Sequence, residues 1–260
     1  MEKPSSHFLK NMIHCGIIVL LTAFIMSCNK GKKIPDVSHI QADLEIVRFE
    51  KEMYGIDSTK RVQKAKALLQ YHPDFFDVYV NRIMLNPSFA DTSQIGRMEY
   101  LMKGEPLINL YDTCMVQFDN FSEYEKGLEQ AMKYMLYYFP ERELPKIFTC
   151  LTEFGYSAFS IGPEILGISV EHFMGADFPA YGSLFPQYQS KNFTPEHLVS
   201  SSVEAYLGEV LNRKEGNRMI DDMIHNGKKL YLLDKLLPHT PDYIKLGYSA
   251  DQTEWCEANE

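Results

Sequence analysis

Between residues 57 and 139 the apolar side chains recur at the period of an α-helix, and that rhythm confines the amino-terminal half of the chain to helices packed on one another. The clearest stretch places Leu107, Leu110, Tyr111, Cys114, Phe118 and Phe121 at i, i+3, i+4, i+7, i+11 and i+14, a single stripe along one face. Helix punctuation agrees with it. Asp57 or Ser58 caps a helix carrying Val62, Ala65, Leu68 and Leu69; His72-Pro73 closes it, and Pro73 opens the next with Phe76, Val80 and Ile83 inward. Asp91-x-x-Gln94 and Ser122-x-x-Glu125 read as capping boxes, the second opening a helix through Leu128, Ala131, Met132, Met135 and Phe139 that Pro140 ends.

The pattern changes after Pro145. Two β-rich runs, Ile147 to Phe154 and Ile165 to Val170, are separated by Gly155, Gly162 and Pro163, which predicts a small antiparallel sheet. An opening strand or arm is expected within Asp36 to Arg48. Thr194-Pro195 then starts a helix with Val199, Val203, Tyr206 and Val210 on one face, and a further helix carries Met219, Ile220, Met223, Ile224 and Leu230. Ser249-x-x-Gln252 opens a last helix containing the one tryptophan, Trp255. The fold class is therefore α+β: a predominantly helical array with a small antiparallel sheet. Glu257 and Glu260 end the last helix, where the macrodipole disfavours anions, and this blunt finish leads us to expect a further carboxyl-terminal segment in relatives.

The amino terminus supplies an address. Lys3 and Lys10 precede an apolar run, Gly16 to Met26, of eleven residues, shorter than the about 20 needed to span a bilayer. The run ends in Ile25-Met26-Ser27-Cys28, the pattern of a bacterial lipoprotein signal cut before the cysteine, so Cys28 is the expected lipid attachment site. Multiple acyl chains anchor stably because each buried methylene contributes about 0.8 kcal/mol. Residues 1–27 read as the signal peptide, 28–37 as a lipidated tether and 38–260 as one helix-rich domain. Lys30, Lys32 and Lys33 follow the cysteine where acidic residues would favour export to the cell surface, which points to an outer-membrane lipoprotein facing the periplasm.

Cleavage removes Glu2, Lys3 and Lys10 and takes the net charge from −9 to −10. So acidic a chain lacks the basic footprint that nucleic acid requires. Cys114, Cys150 and Cys256 would remain, an odd number that reads as small hydrophobes rather than a disulfide framework.

Candidate chemistry is sparse, and no cofactor or metal ligand set is readable. His172 and His197 each follow a glutamate, but neighbours in sequence point apart, and both are expected at the surface. His225 reads as part of a helix C-terminal turn. Asp221, Asp222 and Asp234 lack the spacing of a calcium loop. Ser200-Ser201-Ser202 lacks a nucleophile elbow. Phe178, Tyr181, Phe185 and Tyr188 lie near prolines in the segment from Gly175 to Phe193, and offer rigid apolar area for a partner or for the chain's own core.

With those residues in view the chain resembles the gliding-motility lipoprotein GldB family of the Bacteroidota. The likeness is carried by the lipoprotein start, by Asp43 to Glu50, by Ile161 to Tyr181, and by Met223 to Tyr231 continuing through Leu237-Pro238, Gly247-Tyr248 and Trp255-Cys256. It implies an envelope protein held to the membrane by the Cys28 lipid and working through protein partners. The family in turn is similar to zincin-type peptidases, which implies a zincin-like core: a strand pair, then a helix bearing His-Glu-x-x-His. Here Val203-Glu204-Ala205-Tyr206-Leu207 is the nearest register, with both histidines absent. At i and i+4 two imidazoles grip one ion, so their loss implies a scaffold without catalysis. A metallopeptidase with unrecognised ligands, or a periplasmic ligand-binding module with a pocket lined by the aromatic segment, are the alternatives.

Overall fold

The computed structural model describes residues 34–55, 58–84, 93–211 and 216–259. From Val37 onward the described residues make one compact body around a single apolar core. Strand β1 (Ile46–Arg48) leads directly into α1 (Phe49–Tyr54). Five further helices follow: α2 (Arg61–Tyr71), α3 (Pro73–Val78), α4 (Gln94–Lys103), α5 (Glu105–Phe118) and α6 (Ser122–Tyr138). As the sequence predicts, His72 closes α2 and Pro73 opens α3. Asp57 and Asp91 lie outside the described residues, and Ser58 does not cap α2 but begins a 3-10 turn, Ser58–Lys60, that leads into it. Ser93 takes over the cap of α4, its hydroxyl accepting from the Gly96 amide at 3.0 Å. At α6 the expected capping box does not form, because Ser122 is already helical; Asn120 Oδ1 instead accepts from the Ser122 amide at 3.0 Å.

Three more strands complete the sheet: β2 (Lys146–Cys150), β3 (Ala158–Ile161) and β4 (Ile165–Ser169). Their order is β1-β2-β4-β3, with β1 and β4 parallel to β2 and only β3 antiparallel to β4. The sheet is thus mixed, not antiparallel as the sequence led us to expect. The two β-rich runs do not form a hairpin with each other, because β3 takes up the return direction and β4 then slots in between β2 and β3. Every residue of β4 is buried, which explains its unbroken apolar run in place of alternation. Gly167 of β4 pairs with Phe159 of β3, and a Cβ there would meet the phenyl ring at 2.2 Å. Only glycine leaves room for that ring.

The sheet meets the helices through an aromatic cluster. Phe75 of α3 stacks on Phe148 of β2 with centroids 4.1 Å apart, and Phe49 of α1 meets Phe75 edge-on at 4.9 Å. Beside them lies a buried ionic network. Arg48 Nε donates to Glu50 Oε1 at 2.8 Å and to Thr149 Oγ1 at 3.0 Å, and Thr149 in turn donates to Glu50 Oε2 at 2.7 Å. Arg48 Nη2 also donates to the Phe118 carbonyl at 2.7 Å. One arginine therefore joins β1, α1, β2 and the end of α5.

After β4 come two single-turn helices, α7 (Tyr181–Leu184) and α8 (Gln187–Ser190). Then follow α9 (Leu198–Val210), α10 (Met219–Leu236), α11 (Asp242–Leu246) and α12 (Ala250–Ala258). Helix α9 packs on β3, β4, α6 and α10. The capping box expected at Ser249 and Gln252 forms at the start of α12, at 2.9 and 3.2 Å.

A buried carboxylate and an uncovered helix face

Strand β4 runs into a 3-10 turn, Val170–Phe173, that carries Glu171 and His172 inward together. The sequence puts His172 at the surface; the 3-10 turn instead buries it together with Glu171, and the two are 2 % and 0 % exposed. Glu171 Oε1 accepts three hydrogen bonds: from the Thr152 amide at 2.6 Å, the Thr152 hydroxyl at 3.0 Å and the Phe154 amide at 3.3 Å. These hold the loop after β2, where Glu153 and Phe154 both have left-handed backbone, with φ of 51° and 65°. Burial pushes the Glu171 carboxyl up to about 7, opposed by the bonds from Thr152 and Phe154. Among the described residues its Oε2 has no hydrogen-bond partner.

His172 Nδ1 lies 4.0 Å from Glu171 Oε1, yet burial lowers the imidazole to about 4, so at neutral pH it is uncharged and the two make no ion pair. Aromatic rings enclose it, with Phe193 5.2 Å and Phe185 5.7 Å away. Tyr181 joins the same cluster. Its hydroxyl donates to the Glu171 carbonyl at 2.6 Å and accepts from the Met174 amide at 3.1 Å. Of the aromatic residues weighed as partner contacts, Tyr181 is therefore enclosed, Phe178 and Phe185 are half-buried, and Tyr188 is exposed. The segment lines neither of two surface clefts, of about 500 and 710 Å³.

In α9 the register 203–207, which the sequence resemblance singled out for a metal motif, serves packing instead. Val203 and Leu207 are fully buried core residues, and Glu204 is half-exposed, paired with Lys229 of α10 at 2.8 Å. His197 also turns out buried; Thr194 Oγ1, expected to cap the helix backbone, lies 2.8 Å from its Nδ1 instead. Ser200 and Ser202 donate back to the carbonyls of His197 and Leu198, occupying their hydroxyls within the helix itself. Asp234 accepts from Lys245 at 2.7 Å, and Asp221 pairs with Arg218 at 2.8 Å. His225 sits midway along α10 rather than in a C-terminal turn. Among the described residues no three His, Cys, Asp or Glu side chains gather as a metal set. Cys114, Cys150 and Cys256 are free thiols, the first two buried, and burial pushes the Cys150 thiol well up.

The feature that sequence reasoning missed lies on α10. Met219, Ile220, Met223, Ile224, Leu230 and Tyr231 are all exposed, between 37 % for Leu230 and 77 % for Met219. At 100° per residue they fall within one arc of about 140°, opposite Lys229, which faces α9. Apolar periodicity marks a face without saying what covers it. Here the body uses Leu233 and Leu236 for its core and leaves the wide face open.

No helix among the described residues is long and apolar enough to cross a membrane, and Cys28 lies outside them. No curated protein matches the chain, and no solved structure matches it. The implied likeness to zincin peptidases accordingly has no solved structure behind it. One family model does match, described as gliding motility protein GldB, over residues 30–260. The chain belongs to the GldB family of gliding motility lipoproteins.

Proposed function

We propose that this protein is a non-catalytic lipoprotein of the cell envelope, anchored through Cys28 to the outer membrane and facing the periplasm, that serves gliding or the linked secretion machinery through protein contacts. The uncovered face of α10 carries this reading. Six large apolar side chains on one helix face form a contiguous patch of the kind that marks an interaction site. Methionine and tyrosine are also among the residues enriched where proteins meet. Support for the absence of catalysis comes from α9, where Val203 and Leu207 are buried in the core and Glu204 is paired with Lys229.

Crosslinking in intact cells, followed by identification of the captured proteins, tests the reading. Envelope proteins of the motility or secretion apparatus should be recovered with the wild type, and lost when Met223 and Ile224 are both replaced by glutamate. Recovery that ignores those substitutions would move the contact elsewhere. Stoichiometric zinc in the purified protein, bound near Glu204, would replace the scaffold by a metallopeptidase.

A further inference from the structure

A second surface, apart from the α10 face, has the chemistry of a binding site. The cleft of about 500 Å³ opens where the start of α6, the turn leading into α9 and the segment after α10 converge, a size within the about 300–1,000 Å³ of ligand sites. A Cβ added to Gly127 of α6 would reach Val199 of α9 at 3.0 Å, so the two helices touch here and the cleft lies beside the contact. Its walls are apolar: Tyr124, Val199 and Leu237 line it. The acidic side chains that line it, Glu123 and Glu196, are both exposed, and the His239 imidazole lines it as well, 3.4 Å from the Tyr134 hydroxyl. No lysine or arginine lines the cleft, and among the described residues neither carboxylate forms an ion pair. One sign of charge over low-dielectric walls concentrates the field on whatever enters.

We propose that this cleft takes an extended, lysine- or arginine-bearing segment of a partner protein. A long basic side chain lays its methylene stem on apolar surface while its head stays at the polar rim. Here the stem lies against Tyr124, Val199 and Leu237 and the head meets Glu123 and Glu196. Charge complementarity selects this occupant: an acidic segment is repelled, and a purely apolar one leaves two carboxylates partly desolvated and unpaired. The proposal rests on the reading of the protein as a contact module, but its test needs no captured partner and leaves the α10 face untouched.

The test is binding of a short synthetic peptide alternating lysine with alanine and proline to the full-length lipoprotein in detergent, against the same peptide with norleucine for lysine. The lysine peptide should bind, weaken as salt is raised, and lose about tenfold in affinity when Glu123→Gln and Glu196→Gln are combined. Val199→Trp should abolish binding by filling the floor. Glu254→Gln with Glu257→Gln, which removes the same charge from α12, should change nothing. Both glutamine pairs are exposed, so unchanged thermal melts exclude misfolding. Equal binding of the norleucine peptide, equal loss from the α12 pair, or no binding at all would each overturn the proposal. Cadaverine binding as tightly as the peptide would overturn it in favour of a small-amine site.

Discussion

Ionising Glu171 places a charge where one carboxylate oxygen has no donor, which is why burial holds its proton on to about pH 7 against an ordinary 4.5. A folded value above the unfolded one means the stabilisation is complete below about pH 4.5 and is lost as pH rises through 7. That shift corresponds to about 3 kcal/mol. His172 works in the opposite direction, its contribution present above its ordinary 6.5 and lost as pH falls through about 4. Urea unfolding of the wild type and Glu171→Gln at roughly pH 5 and pH 8 isolates the carboxyl, because His172 is common to both. Between those points the wild type should lose about 2–3 kcal/mol more than the variant; parallel losses would show that the carboxyl titrates normally. Arg48 gives a larger effect. Arg48→Ala strands Glu50, which is fully buried, and should cost about 3–5 kcal/mol in a denaturant titration. None of this burial was legible in the sequence. His172 reads as a surface residue because nothing local announces that the chain leaves β4 in a 3-10 turn, and Arg48-Phe-Glu50 looks like any charged strand end until Thr149 arrives from about 100 residues away.

Helix starts, stops and inward faces were largely readable, since they depend on neighbours within a few residues: His72-Pro73, the Ser249 box and the α5 stripe all stand where the pattern puts them. Strand pairing was not. Register between β1 and β2 joins residues about 100 apart in sequence, and β3 is four half-buried residues, too short for alternation to show. The reading as an antiparallel pair failed for that reason. Gly167 tests the observed register, because its role exists only if Phe159 lies opposite. Gly167→Ala should destabilise the fold by about 1–3 kcal/mol through overpacking, with Phe159→Ala in the same chain relieving part of the clash. Additive losses would contradict the pairing. On α10 the opposite behaviour is expected. Met223→Glu and Ile224→Glu replace exposed side chains, so each should leave stability within about 0.5 kcal/mol by thermal or chemical unfolding. A large loss would mean that the face is already covered by the protein's own chain.

At the scale of the whole molecule the family was legible and its mechanism was not. Family membership rests on blocks spread along the chain, and the match over residues 30–260 agrees with them. The zincin-like core expected from the sequence finds no support in the comparisons, and in α9, where its metal motif was looked for, the side chains serve packing and an interhelical ion pair. What remains is an acidic helical body and a proposed lipid at Cys28 to localise it. Cys28→Ala should move the protein from the membrane to the soluble fraction on cell fractionation, since a signal without the acceptor cysteine leaves no acyl chain to bury. Retention in the membrane would refute the anchor.

The open face of α10 is proposed to meet another protein. A photo-crosslinking amino acid placed at Met223 or Tyr231, with the still more exposed Val116 on α5 as control, tests it in living cells. Adducts with envelope proteins are expected from positions 223 and 231 and none from 116. Silence at both α10 positions, or the same adducts from all three, would contradict it.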